Sequence, residues 1–150
     1  MVSPAKAQAS DAARAAVELV PIGRVRSPYR TPLDAPRQGA FAAVEALVEL
    51  EPAYAPGLEG IEPGERLLVV WWAHEAERGL LARPGSDGVF RMRTPHRPNP
   101  ICLSEVEVVA REGASLRVRG LEAIDGTPVI DIKSAAAEYD GWCGLPRELP

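Results

Sequence analysis

The chain has 150 residues but only two cysteines, Cys102 and Cys143, and two histidines, His74 and His96. Two thiols cannot make a disulfide framework, so a reducing cytoplasm is the expected setting. These four residues show neither C-x-x-C nor H-x-x-x-H spacing. Zinc ligation therefore lacks its usual pattern, and no metal is expected. No run of about 18 apolar residues occurs, so nothing is expected to span a membrane. The first twenty residues are rich in alanine but carry Lys6, Asp11, Arg14 and Glu18, which leaves no uninterrupted apolar signal core. Positive charge is also short. The formal net charge is −4, which argues against broad nonspecific nucleic-acid binding but permits a local basic patch. There is no G-x-G-x-x-G and no βαβ alternation, which argues against a Rossmann nucleotide site.

What is present suits one globular domain. Hydrophobic residues make up 46% of the chain, enough for a real core at this length. Fifteen prolines and thirteen glycines make turns frequent. Residues 1–16 read as a mobile tail or one short helix capped by Ser10, and 17–150 as the domain. Val17–Val25 reads as a strand broken by Pro21 and therefore at an edge or bulged. Ala42, Val44, Ala46, Val48 and Leu50 alternate with Glu45 and Glu49, as in a strand with one wet face. Pro52–Gly64 reads as turns with one helical turn. Leu67–Ala73 is continuously apolar, which predicts burial on both faces or a subunit contact. A short helix is predicted over Ala76–Leu81 and a short strand over Val89–Arg93. Ile101–Arg111 and Ser115–Arg119 alternate around a turn at Glu112-Gly113-Ala114. Asp125-Gly126 punctuates two further strand patterns, Leu121–Ile124 and Val129–Ile132. Six or seven short strands at this spacing predict a mainly β fold: a small antiparallel barrel with long Pro-rich loops and one or two short helices.

The chemistry-bearing residues cluster. Arg91 to Ser104 holds three arginines, His96, Asn99 and three prolines, then runs into an apolar strand pattern. Thr94, Arg97 and Asn99 each precede proline, which drives them toward extended backbone and removes a donor at the next position. The segment is thus a stiff loop that fixes the directions of Arg93, His96, Arg97 and Asn99. Rigid polar loops on a β scaffold commonly carry sites. A second constellation is Pro36-Arg37-Gln38, in the long polar loop after the first strand. A third is Asp125 to Lys133. There Asp131 and Lys133 alternate with Ile130 and Ile132 and share a strand face, an arrangement that also suits a plain surface ion pair. Cys102 opens an apolar strand, which favours a packed residue over a thiol nucleophile.

Taken in order, Pro-Arg-Gln, then Arg-x-Pro-His-Arg-Pro-Asn-Pro-Ile-x-Leu-Ser, then Asp-Gly-Thr-Pro-Val-x-Asp-Ile-Lys resembles the TrmO family, also called TsaA-like. The resemblance covers about Pro21 to Asp140. It implies an S-adenosylmethionine-dependent methyltransferase on a small β-barrel, whose characterised bacterial role is N6-methylation of threonylcarbamoyl-adenosine beside the tRNA anticodon. It also implies a homodimer with the cofactor near the subunit contact. On this reading Pro36, Arg37, Gln38, Arg93, His96, Arg97, Asn99, Leu103, Asp125 and Thr127 hold the cofactor, and His96, Asp131 and Lys133 are the candidate catalytic residues. An activated sulfonium methyl needs alignment and exclusion of water. The nitrogen must also lose a proton, for which His96 or Asp131 is a candidate. The chain departs from the family pattern at Cys102, where glycine is usual, at Ser134, where proline is usual, and at Thr94, where serine is common. It ends at Pro150, where longer bacterial members carry a further domain. A small-molecule N- or O-methyltransferase and a nonenzymatic S-adenosylmethionine-binding module are the alternatives.

Overall fold

The computed structural model describes residues 16–36 and 44–135. Six strands form a closed antiparallel barrel: β1 (Gly23–Arg26), β2 (Glu45–Leu50), β3 (Arg66–Trp72), β4 (Ile101–Glu112), β5 (Ser115–Arg119) and β6 (Pro128–Ser134). Their order around the ring is β1-β2-β5-β4-β3-β6. Two 3-10 helices, Pro52–Leu58 and Val89–Arg91, are the helical elements among the described residues.

Alternation decides which residues form the core. Ala46, Val48 and Leu50 point inward from β2, Val106 and Val108 from β4, and Leu116 and Val118 from β5. β4 is long enough to serve two neighbours. Its first half pairs with β3, its second half with β5, and a bulge lies between Val108 and Ala110. Such a bulge bends a strand and helps a small sheet close. A second bulge lies at Ile130, because Trp71 pairs with Val129 while Val70 pairs with Asp131. Val129 and Ile132 therefore both pack on the core, and Asp131 and Lys133 face outward.

The Ser104 hydroxyl is buried and accepts the indole N–H of buried Trp71 at 2.8 Å. This bond ties β3 to β4 inside the barrel. Ser104→Ala strands a buried donor and is expected to cost about 1–3 kcal/mol in urea unfolding. An unchanged midpoint would show that Trp71 finds another partner.

Several expectations need correction. The first strand begins at Gly23, not Val17. Pro21 withholds a ladder donor, and only Ile22 of the preceding segment bonds the neighbouring strand, at Val129 O. The helix predicted over Ala76–Leu81 is a series of turns and bends, with Gly79, a poor helix former, inside it. Val89–Arg93 is a 3-10 turn followed by extended chain. Leu121–Ile124 forms no strand; it crosses the barrel mouth with Leu121, Ala123 and Ile124 buried. β3 is fully buried on one face and half-buried on the other, so its outward residues Leu68, Val70 and Trp72 lie beside exposed Ile101 and Leu103. The 1–16 tail and the expected strand start at Ala42 fall outside the described residues, except Ala16.

Candidate active site at one mouth of the barrel

Strand polarity alternates all the way around the ring, so the connections leave in two groups. The 27–36 segment after β1 and the 73–100 and 120–127 connections open from one mouth, and the short Gly113-Ala114 turn and residues 51–65 from the other. Among the described residues, the Pro loop, Asp125–Thr127 and the 27–36 segment that ends at Pro36 therefore leave the barrel at a single end. They also touch. Asp125 N–H donates to Tyr29 O at 2.7 Å, joining the third loop to the first. Glu122 of the third loop and Arg97 and Arg93 of the second bear on the Cys102 thiol with opposite effect, the carboxylate raising its pKa and the guanidiniums lowering it.

The Pro loop is held internally. Arg97 forks its guanidinium over three carbonyls, with Nη2 on Val89 O at 2.9 Å and Nη1 on Met92 O and Thr94 O, both at 3.1 Å. Thr94 Oγ1 accepts His96 N–H at 3.2 Å. Outside the loop, Glu77 N–H donates to His96 Nδ1 at 3.0 Å. Arg78 lies over the Trp72 ring, 5.2 Å from its centre. Its Nε donates to Pro98 O at 2.8 Å and its Nη2 to Asn99 Oδ1 at 3.2 Å. Sequence reading missed Glu77 and Arg78. They sit about twenty residues from the loop they hold, in a stretch with helical composition, and nothing in the spacing pairs them with it.

The other expected residues divide. Arg93 is exposed at the mouth, and its charge reaches the Cys102 sulfur. Asp125 accepts Ser27 N–H at 3.1 Å, and Gly126, at φ +80°, makes the turn and donates to Val25 O. This tethers the third loop to β1. Thr127 is fully buried, its hydroxyl has no protein partner, and its carbonyl accepts Val25 N–H at 2.9 Å. Leu103 is exposed on the outer wall beside Val70. Asp131, mid-strand, and Lys133, near the far end of β6, pair there at 3.1 Å, away from the loop-bearing rim. They border a cavity of about 500 Å³ against the Pro52–Leu58 helix. A larger one, about 960 Å³, lies beside Asp125, Arg26 and Arg30, not beside His96. Pro36 is half-buried, and Arg37 and Gln38 lie outside the described residues. Among the described residues there is no cluster of three or more potential metal ligands, and no helix long and apolar enough to cross a membrane.

Burial pushes the Cys102 thiol up to about 11, with the Glu122 carboxylate adding to the rise and Arg97 and Arg93 opposing it. Only about one thiol in a thousand is ionised at pH 8, and the thiolate is the reactive form. Iodoacetamide labelling in a Cys143→Ser background should therefore be at least a hundredfold slower than for free cysteine. Rapid labelling would contradict a packed role.

The fold is a small closed β-barrel with a polar loop held by two arginines between β3 and β4. The chain belongs to the family described as the tRNA-methyltransferase O N-terminal domain, whose model matches residues 24–141. An Archaeoglobus fulgidus protein named "S-adenosyl-L-methionine-binding protein" is 45% identical over 137 residues, covering 88% of this chain and 99% of that one. A second protein from that organism, "Probable S-adenosyl-L-methionine-binding protein", is 43% identical over 129 residues, but the chain spans only 35% of its length. The solved structure "Crystal structure of TrmO" aligns with TM-score 0.76 and 33% identity over 88% of this chain and 63% of that one. TrmO from Pseudomonas aeruginosa aligns with TM-score 0.74 at 31% identity, over 91% of this chain and 63% of that one.

Proposed function

We propose that the protein is an S-adenosylmethionine-dependent methyltransferase whose acceptor is N6 of threonylcarbamoyl-adenosine in a tRNA anticodon loop. Family membership and the S-adenosylmethionine-binding names of its relatives support the cofactor and the reaction. The observation that carries the reading is that the Pro loop, fixed by two arginines, leaves the barrel at the same mouth as the 27–36 segment and Asp125–Thr127. S-adenosylmethionine is zwitterionic and needs fixed donors as well as a wall against water, which a stiff loop over an apolar barrel end provides. Arg93, His96, Asn99 and the Pro36-Arg37-Gln38 segment are the contact residues in this reading. Arg97, Asp125 and Thr127 act by holding the loops, and Asp131 and Lys133 lie apart on the outer wall. The bound cofactor supplies the activated methyl, and the chain supplies alignment.

A cytoplasmic homodimer is part of the proposal. Its support is the apolar outer face of Leu68, Val70, Trp72, Ile101 and Leu103, since large exposed apolar patches on monomers are uncommon. The net charge of −4 favours a small-molecule acceptor as second reading. The test supplies labelled cofactor and total tRNA carrying threonylcarbamoyl-adenosine. Label in that nucleoside, with binding that falls about 0.7–0.9 log units per log unit of salt for each phosphate neutralised, supports tRNA. Cofactor binding without label in any tRNA moves the assignment to a small molecule or to a nonenzymatic module.

A further inference from the structure

We propose that the Pro loop presents a donor face: His96 serves as an Nε2–H hydrogen-bond donor to a carboxylate or carbonyl oxygen, not as a proton acceptor, and the Glu77 amide and Arg78 guanidinium fix it so. This rests on the methyl-transfer reading above.

Two groups that can only donate set the polarity of two side chains that are otherwise ambiguous. A backbone N–H has no acceptor, and Glu77 N–H lies 3.0 Å from His96 Nδ1. Nδ1 therefore turns a lone pair toward the amide, and the single proton of neutral imidazole sits on Nε2. A guanidinium likewise has no acceptor, and Arg78 Nη2 lies 3.2 Å from Asn99. The Asn99 amide turns its oxygen to Arg78 and leaves its NH₂ free. Arg78 is itself fixed by the Pro98 carbonyl and the Trp72 ring, so the arrangement does not depend on one contact. Among the described residues neither His96 Nε2 nor Asn99 Nδ2 has a protein partner. Both free ends are thus donors, and the His96 ring is half-buried in the loop that links β3 to β4.

The same geometry opposes a base role. Nε2 already carries a proton. A proton taken at Nδ1 breaks the bond from Glu77 and sets two N–H groups head to head. In methyl transfer to nitrogen the C–S bond breaks, sulfur keeps the pair as a neutral thioether, the C–N bond forms, and the nitrogen sheds one proton. A donor at His96 holds an oxygen in place during that step, and the proton leaves to water. Two sources offer such an oxygen: the methionyl carboxylate of the cofactor and a carbonyl or carboxylate of the acceptor.

Long-range ¹H–¹⁵N correlation spectra report the tautomer directly. With two histidines in the chain, His74→Gln assigns the signals. The wild-type protein is expected to show His96 as the Nε2–H form. His96→Asn and His96→Gln are then compared with labelled cofactor and tRNA, because a glutamine amide nitrogen lies near the place of Nε2 and an asparagine one does not. Asparagine should lower turnover or affinity about 10- to 100-fold, the range for one hydrogen bond to a charged group, and glutamine should recover most of it. Calorimetry with S-adenosylmethionine and with 5′-methylthioadenosine, which lacks the carboxylate, separates the sources. A loss with the first ligand alone assigns the cofactor carboxylate. Unchanged binding of both, with a raised KM for tRNA, assigns the acceptor. Arg78→Ala should weaken the same ligand that His96→Asn weakens. An Nδ1–H tautomer would overturn the proposal, as would a 10²- to 10⁴-fold loss in His96→Gln with disappearance of one limb of the pH profile, the mark of a general base. A wild-type chain that takes up no cofactor sinks the methyl-transfer reading and the ligand assigned here, while the spectrum still reports the lock by itself.

Discussion

Gly23→Ala is expected to destabilise the barrel by about 3 kcal/mol, the upper part of the range for overpacking. A Cβ on Gly23 would collide with the Glu49 carbonyl oxygen and with the Leu50 Cα, at 2.8 Å. Both are backbone, so no rotamer change relieves the contact. The position also matters for closure. β1 has four residues, and its register against β6 has only two pairs, Gly23 with Val129 and Arg24 with Pro128. Pushing β2 away from Gly23 pulls at that seam. For a domain of this size the loss corresponds to a fall in Tm of about 10 °C. Gly57→Ala is the control, since a Cβ there meets nothing within 4 Å. It should change stability by no more than about 0.5 kcal/mol. Equal effects of the two substitutions would show that the barrel adjusts β2 at little cost.

The barrel was readable because its signals are local. Val106 and Val108, or Leu116 and Val118, reveal a strand and its inner face by alternation alone. The Glu112-Gly113-Ala114 turn follows from a glycine at φ +63°. The failures have physical causes. Ala76–Leu81 has helical composition, but it is short, holds Gly79, and anchors through Glu77 N–H and Arg78 to the Pro loop, contacts that no local spacing reveals. Leu121–Ile124 has strand composition, but its apolar side chains plug the mouth without pairing. Asp131 and Lys133 share one strand face, but a shared face does not say which side of the barrel it takes, and here it is the outer one. The candidate site was legible as a list of residues and not as a division of labour. No sequence rule says that Arg97 spends its charge on three carbonyls of its own loop while Asn99, two residues on, keeps its NH₂ free.

That division gives the largest expected effect on binding. Arg97→Ala should weaken cofactor affinity about 100-fold, from hydrogen bonds to a charged donor worth roughly 1.5–3 kcal/mol each, with some recovered by water. Tm should move only a few degrees, because the loop lies outside the core and opens locally. Arg97→Lys is expected to rescue little. One ammonium cannot span Val89 O on one side and Met92 O and Thr94 O on the other, as a planar fork does. The ligand series then separates a clamp from a direct contact. A guanidinium that pairs with the cofactor's carboxylate would lose affinity for S-adenosylmethionine but not for 5′-methylthioadenosine, and lysine would retain much of it. A guanidinium that orders the loop loses both ligands alike, because His96 and Asn99 lose their shared footing. The clamp predicts the second pattern, read by calorimetry on the two variants, and the first pattern would return Arg97 to the ligand.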